Sequence, residues 1–278
     1  MKLAVLSGKG GAGKTFVAVN LAVTSRQAVY IDCDVEEPNG RLFLKPEIEA
    51  VTPVSTLLPE FDTSRCNGCR ACVNACRFHA LVYLKERPMV FPEVCHACGA
   101  CSLVCPTGAV REVPHPIGTL EQGHRGGVRV MTGILNPGEA SGVPVIRAAL
   151  AQGESDAPLT VIDCPPGSAC PVLESAAAAD RCLLVAEPTA FGLHNLDMVY
   201  RLVTLLGKPC GVVINKETEP YAPLEAFCRD RNLPILGRIP YQAQLAQQTA
   251  RGEIACETVP AASQLFSALL NRIAWWCV

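Results

Sequence analysis

Eight of the sixteen cysteines in this 278-residue chain stand in two runs of identical spacing. Cys66, Cys69, Cys72 and Cys76 read C-x2-C-x2-C-x3-C, and Cys95, Cys98, Cys101 and Cys105 repeat that pattern 29 residues later. Three thiolates on a tight loop can converge on three corners of one iron–sulfur cubane. A fourth cysteine, at the start of a short helix, is carried away to the other cluster. The spacing therefore assigns Cys66, Cys69, Cys72 and Cys105 to one [4Fe–4S] cluster and Cys95, Cys98, Cys101 and Cys76 to a second. A different chemistry opens the chain. Gly8-Lys9-Gly10-Gly11-Ala12-Gly13-Lys14-Thr15 satisfies G-x4-G-K-[ST]. In such a loop backbone N–H groups wrap phosphate oxygens, Lys14 neutralises the β- and γ-phosphates, and the Thr15 hydroxyl reaches Mg²⁺.

Competing readings of both motifs are weaker. Structural zinc uses two separated C-x2-C pairs, and a third cysteine two residues further on fits tetrahedral geometry poorly. Disulfides need an oxidising compartment, which nothing in the sequence supports. Pro106 follows Cys105 as in the bacterial ferredoxin pattern, whereas Arg77 stands where that pattern has a second proline. The substitution alters a turn and removes no ligand. The glycine loop also satisfies the dinucleotide pattern G-x-G-x-x-G at Gly8, Gly10 and Gly13, with Asp32 or Asp34 near the ribose-binding position. Lys14 and Thr15 decide against it, because a dinucleotide fold has no use for a lysine and a magnesium ligand there.

Lys9 is a second lysine within the loop, and with it the sequence resembles a known family. K-G-G-x-G-K-T is the deviant Walker A form of the MinD/Mrp superfamily, which includes the nitrogenase iron protein. Asp32-Cys33-Asp34 resembles that family's switch I, and Asp163-Cys164-Pro165-Pro166-Gly167 its switch II. Glu187-Pro188-Thr189 and Asn215-Lys216 resemble its later strand-end motifs. With the twin cysteine run, the chain is most similar to MinD-type ATPases that carry a ferredoxin insertion. The resemblance implies ATP and Mg²⁺ as ligands and an ATP-sandwich dimer in which Lys9 reaches the opposite subunit's nucleotide. It implies that Asp34 orients the attacking water and that Asp163 binds Mg²⁺ through a water. Asn215 is expected at the adenine edge and Pro240 beside the base. Simple strand-end polarity is the plainer alternative for Asp32 and Asp34, and both Asn215 and Pro240 are open to an ordinary loop role.

Composition bounds the rest. Hydrophobic residues make up 49% and charged residues 18%, as in a globular protein with a sizeable core. A formal net charge of −2 without a dense basic stretch argues against nucleic acid as a partner. No apolar run has the length to span a bilayer, so no stable membrane insertion is expected. The glycine loop begins at Gly8, leaving no room for a signal peptide ahead of it. Sixteen cysteines without secretion imply a cytoplasmic, reducing location, and exposed low-potential clusters favour an anaerobic one.

The elements that must position these residues alternate, as in a parallel sheet covered by helices. Strands are predicted at Lys2–Ser7, Ala28–Asp32, Leu159–Asp163, Arg181–Ala186, Gly211–Asn215 and Ile235–Ile239. Helices are predicted from Lys14 to about Ser25, at Val143–Ala151, Leu193–Leu206, Ala222–Arg231 and Ala261–Trp276. The predicted fold class is α/β: a mostly parallel, doubly wound P-loop sheet with a small inserted ferredoxin-like α+β domain. The alternation breaks between about Asp62 and Val113, so residues 1–61 and 114–278 are assigned to the ATPase domain and 62–113 to the insertion. Leu81–Leu84 and Met89–Phe91 fit a hairpin between the two cysteine loops. The glycine-rich stretch Ile117–Leu135, with alternating valines, fits a second hairpin at the junction.

Eight cysteines lie outside the runs: Cys33, Cys164, Cys170, Cys182, Cys210, Cys228, Cys256 and Cys277. Isolated cysteines are most often small buried hydrophobes. Cys170 stands apart because the nitrogenase iron protein holds a cluster across its dimer with a switch II cysteine, so a third, intersubunit cluster is a minority reading. His79 and His96 are expected to pack or hydrogen-bond near the clusters. The last helix carries Leu265, Phe266, Leu269, Leu270, Ile273 and Trp276 on one face but lacks a basic polar face. It is expected to pack on the core, not on a membrane. The expected function is a slow, partner-coupled ATPase linking nucleotide state to two [4Fe–4S] clusters, with switch II as transmitter. It would act in electron transfer or cluster handling for metallocofactor assembly, as a homodimer or a heterodimer with a paralogue, serving a redox or metallocofactor partner protein. A MinD-like redox-sensing positioning switch, an Fe–S carrier or scaffold, and a nicotinamide- or flavin-linked oxidoreductase are the alternatives.

Overall fold

The structure, a computed structural model, describes residues 1–276. Cys277 lies outside the described residues. The chain opens with β1 (Lys2–Leu6), α1 (Lys14–Thr24), β2 (Ala28–Asp32), α2 (Gly40–Leu44) and the long β3 (Glu47–Phe61). The cysteine-rich stretch holds α3 (Ala71–Ala75), β4 (Leu81–Leu84), β5 (Arg87–Val90) and α4 (Ala100–Leu103). The chain returns through β6 (Val110–Arg125), β7 (Val128–Leu135), α5 (Val143–Gln152), β8 (Leu159–Asp163), α6 (Cys170–Ala177), β9 (Arg181–Ala186) and α7 (Ala190–Leu205). It closes with β10 (Cys210–Glu217), α8 (Ala222–Asp230), β11 (Ile235–Pro240), α9 (Ala243–Ala250), α10 (Ala255–Thr258) and α11 (Pro260–Trp275).

Nine strands form one sheet in the order β11-β10-β9-β1-β8-β2-β7-β6-β3. The seven from β11 to β7 run parallel. β2 and β8 are buried along their whole length and β1 from Leu3 to Leu6, as strands covered on both faces must be. Helices on the two faces bury separate cores. One gathers Val145, Ile146, Val172, Leu196, Val199 and Leu224. The other gathers Val17, Leu21, Tyr30, Phe266, Leu269 and Ile273. α11 thus packs against the sheet through Phe266, whose ring meets Phe16 edge-on at 5.6 Å. Among the described residues no helix is long and apolar enough to cross a membrane.

Two features of this sheet lie outside the expected pattern. β6 turns at Gly126, whose φ of 55° suits glycine, into β7, which then pairs in parallel with β2. The hairpin foreseen at the junction is therefore part of the main sheet. Its outer neighbour β3 was not foreseen, because Pro53 and Pro59 break the strand signal. Prolines are tolerated here since β3 is the sheet edge, where one row of N–H groups needs no partner. β3 and β6 run on together as an antiparallel ribbon until Phe61 faces Val110. Val110–Val113, placed in the insertion by the sequence, belong to this ribbon. The helix at 190–205 starts three residues before the expected Leu193 because Thr189 caps it, its hydroxyl oxygen accepting from the Gly192 N–H at 2.9 Å. α6 has no counterpart among the helix ranges predicted above, its apolar stripe being too short to show a period.

Candidate functional site

The end of β1 delivers the phosphate loop into a cavity of about 1400 Å³ at the carboxyl end of the parallel sheet. Gly11 and Gly13 adopt left-handed φ of 78° and 96°. Gly13 can carry no side chain, since a Cβ would come within 2.2 Å of the Asn215 amide. That amide, Nδ2, donates to the Ala12 carbonyl at 2.8 Å. Asn215 therefore lines the cavity but spends its amide on holding the loop. Gly10, Lys14, Thr15, Asp34 and Pro240 line the same cavity, with Tyr241 beside Pro240. Lys14 is buried at the first turn of α1.

Below it two carboxylates share adjacent strand ends, Asp32 on β2 in register with Asp163 on β8. Burial raises both pKa values, and for Asp32 the neighbouring Asp163 raises it further. Asp32 is occupied structurally: its Oδ2 accepts from the Gly40 N–H at 2.9 Å and its Oδ1 from the Asp34 N–H at 3.2 Å. It holds the switch I loop in shape. Asp163 differs. Its Oδ2 accepts from the Tyr30 hydroxyl at 2.9 Å, while its buried Oδ1 has no hydrogen-bond partner. Lys14 and the Thr15 hydroxyl partly offset the burial of Asp163. An orphaned buried carboxylate oxygen beside a threonine hydroxyl and a lysine fits a hard cation with phosphate oxygens. Asp34, partly exposed at the cavity wall, is pushed up to about 6, mainly by burial and against the pull of Lys14.

Lys9 turns inward within its own chain. Its Nζ pairs with Glu187 and lies 5.3 Å from the centre of the Phe191 ring. Glu187 also accepts from Lys216 Nζ at 2.8 Å, and Lys216 donates to the Gly11 carbonyl at 2.6 Å. Burial favours the acid form of Glu187, but Lys216 and Lys9 outweigh it and hold the pKa below the usual value. Sequence reasoning noted Glu187 and Lys216 only as motif positions. Nothing in their spacing shows that one carboxylate ties both lysines to the phosphate loop.

The cysteine runs lie beyond the tip of the ribbon. Cys66, Cys69, Cys72 and Cys105 line one small hollow, together with Phe61 and Tyr83. Cys76, Cys95, Cys98 and Cys101 line another, together with Leu57 and Pro59. The two sets thus sit at successive levels of the ribbon, the first at its tip. Among the described residues no three His, Cys, Asp or Glu side chains close on a point that would hold a single ion. Each set surrounds a space instead, as four corner ligands of a cubane must.

The duplication extends to the backbone. Left-handed residues recur 29 apart: Gly68 and Ala97, Arg70 and Gly99, His79 and Gly108. The Ala80 N–H donates to Cys76 Sγ at 3.3 Å, and the Ala109 N–H to Cys105 Sγ at 3.2 Å. The repeat thus includes a backbone donor to the last cysteine of each run. Of the two histidines, His96 stacks on Phe78 at 3.9 Å beside the second set. His79 is exposed.

The strand beside the ribbon, β7, reaches the nucleotide site. The Leu135 N–H at the end of β7 donates to the Val35 carbonyl, one residue after Asp34, at 2.9 Å. Val35 is buried against Gly133 of β7 and Gly142 before α5, where a Cβ would fall within 2.8 Å and 2.6 Å of its methyl groups. The loop after Asp34 therefore touches β7, which pairs with β6, one strand of the ribbon that bears the cysteines. Switch II has an indirect path: Glu174 of α6 pairs with Arg147 of α5, and α5 packs on β3, β6 and β7. Cys170 is exposed at the start of α6.

A glycine loop entering a helix at the carboxyl end of β1, with Asp163 on the next strand, is the arrangement of a P-loop protein. Residues 3–255 match the profile of the CobQ/CobB/MinD/ParA nucleotide-binding domain. The chain belongs to that family. An uncharacterized protein of Methanocaldococcus jannaschii is 26% identical to this family member over 91% of its length and 90% of the relative's. A 56-residue stretch, 19% of the chain, is 41% identical to 90% of an uncharacterized ferredoxin of the same organism. Among solved structures, the septum site-determining protein MinD of Pyrococcus horikoshii, complexed with Mg-ADP, superposes with a TM-score of 0.62. At 18% identity, covering 98% of this chain and 95% of that one, it shares the α/β fold.

Proposed function

We propose that the chain is an ATP-hydrolysing iron–sulfur protein in which nucleotide state is coupled to two [4Fe–4S] clusters, in the service of electron transfer for metallocofactor assembly. The observation that carries this reading is the Leu135–Val35 hydrogen bond, which joins the loop after Asp34 to β7, whose antiparallel neighbour β6 runs on into the ribbon that bears both cysteine sets. The 56-residue likeness to a ferredoxin supports the iron–sulfur assignment and residues 62–113 as an inserted ferredoxin-like domain.

On this reading the loop N–H groups of residues 8–15 hold the phosphates of ATP, and Lys14 neutralises their charge. Thr15 and, through a water, Asp163 hold Mg²⁺, whose arrival satisfies the orphaned Oδ1. Asp34 orients the attacking water. Phosphoryl transfer needs mainly positioning and charge neutralisation, which these groups supply. In an ATP-sandwich dimer, with a second copy or a paralogue, Lys9 leaves Glu187 and reaches the partner's nucleotide, so closure and hydrolysis are tied together. Pro240 and Asn215 border the base. Cys66, Cys69, Cys72 and Cys105 hold one cluster, and Cys76, Cys95, Cys98 and Cys101 the other. The clusters supply one-electron chemistry when bound. Movement of Asp34 and Val35 on γ-phosphate loss is passed to β7 and the ribbon.

The test is EPR of the dithionite-reduced protein with ATP, ADP or neither, together with a redox titration. A nucleotide-dependent change in signal or midpoint potential is expected, with eight irons per chain. Identical spectra and potentials in all three states would sink the coupling. Ten irons would instead bring Cys170 into a third, intersubunit cluster. A cluster carrier is the second reading, favoured by the exposure of one cysteine in each set, Cys69 and Cys98. Loss of iron to an apo acceptor on ATP addition would establish it.

A further inference from the structure

The two cysteine sets are alike in backbone and unlike in charge. Residues 62–109 carry five cations, Arg65, Arg70, Arg77, Lys85 and Arg87, against three carboxylates, in a chain whose formal net charge is −2. All five are exposed, and among the described residues none of them is in an ion pair, while fifteen such pairs are found elsewhere. They are not spread evenly. Arg70 lines the hollow of the tip set, its guanidinium stacked 4.6 Å from the centre of the Tyr83 ring. Arg65 adjoins Cys66 and donates to the Thr107 carbonyl at 2.9 Å, across the same hollow. Lys85 sits in the β4–β5 turn that follows Tyr83. These contacts fix the two guanidinium groups around exposed Cys69. Beside exposed Cys98 a carboxylate stands instead: Glu112 lies over Gly99, where a Cβ would meet its Oε1 at 3.3 Å, and the one cation of that set, Arg77, adjoins Cys76.

We propose that the face around Cys69 is the docking surface for an acidic, low-potential one-electron carrier, which delivers its electron to the tip set and not to the set behind Cys98. This rests on the iron–sulfur reading above. Unpaired, pre-positioned arginines attract a carboxylate-rich surface at long range, and steering of this kind raises association rates by about 10–10³-fold at low salt. The donor is oxidised by one electron, the site behind Cys69 is reduced by one, and no bond is made or broken.

The test is stopped-flow reduction of the oxidised holoprotein by a strongly acidic plant-type [2Fe–2S] ferredoxin. Oxidation of the reduced holoprotein by basic cytochrome c is the counter-probe. The second-order rate with the acidic donor is expected to fall at least tenfold between about 0.02 and 0.3 M salt. Arg70→Glu should lower it about tenfold at low salt, and Arg229→Glu, on the far side of the sheet, should not. Iron content and visible spectrum are measured for each variant. Should Arg70→Glu lose iron, the salt dependence of the unmodified protein with the two carriers decides. A rate independent of salt, faster reaction with cytochrome c at low salt, or an iron-replete Arg70→Glu of unchanged rate overturns the proposal alone. A purified protein without iron overturns the iron–sulfur reading as well.

Discussion

The nucleotide pocket and the cysteine arm hold chemically demanding groups by opposite means. Around the pocket, Lys14, Asp32 and Asp163 are fixed by strands and helices that are themselves buried, so their geometry is set before any ligand arrives. In the arm, only Ala80, Leu81, Pro88 and Ala109 are buried between residues 62 and 109. A segment of that size with so small a core does not hold its shape by burial alone and needs staples. The difference teaches that the pocket is shaped by its own packing, whereas the arm has too little core to be shaped by burial.

Removing iron tests that contrast most severely. If the proposed clusters hold the arm, chelation under reducing conditions should abolish hydrogen-exchange protection throughout residues 62–109, since metal-binding energy would there be folding energy. The amides of β1, β8 and α1 should stay protected, and loss of their protection would erase the contrast. Phe266→Ala works from the other side. It opens a cavity between α11 and α1 and should cost about 3–5 kcal/mol in chemical denaturation of the sheet, leaving the iron signal of the surviving folded protein unchanged. Lys14→Ala should leave folding and iron intact while lowering ATP turnover by about 10²–10³-fold. A kinetic loss below tenfold would remove Lys14 from the proposed chemistry.

The smallest effect falls on Asp34. Burial raises its folded-state pKa to about 6, above the ordinary aspartate value, so the native state holds the extra proton. Stability should therefore decline as pH rises from about 4 to 6 and stay lower above that window. Asp34→Asn should restore about 1–2 kcal/mol at pH 7, discounted for the exposure of this carboxyl, while abolishing hydrolysis. Carboxyl NMR should show a titration near pH 6 that the variant lacks. Equal or lower stability of the variant would mean the carboxylate has partners that outweigh its burial.

Much of the pocket was legible because the P-loop is local. The glycines, Lys14 and Thr15 are adjacent in sequence, and the parallel strands announce themselves as short apolar runs. Residues that act across the fold were not. Tyr30 reads as an ordinary strand aromatic until the sheet brings its hydroxyl to Asp163, and Glu187 gives no sign that it binds Lys9 and Lys216 together. Lys9 itself shows how a role inferred for an assembly differs from the conformation of one chain. The ribbon was hidden for another reason: Pro53, Pro59, Pro114 and Pro116 erase the strand signal, and only pairing over Glu47–Phe61 reveals it. With the ribbon unseen, the contact between Val35 and β7 was unseen too.

That ribbon makes the arm a lever. From Val54, which packs against the core, to Phe61 at the tip is seven residues, or about 24 Å of strand. A rotation of only about 5° at the root would displace the tip by about 2 Å, more than a hydrogen bond can tolerate in length. For the docking proposed above, a hinge motion of that size would be enough to disengage a neighbour while leaving the packing of the sheet itself in place.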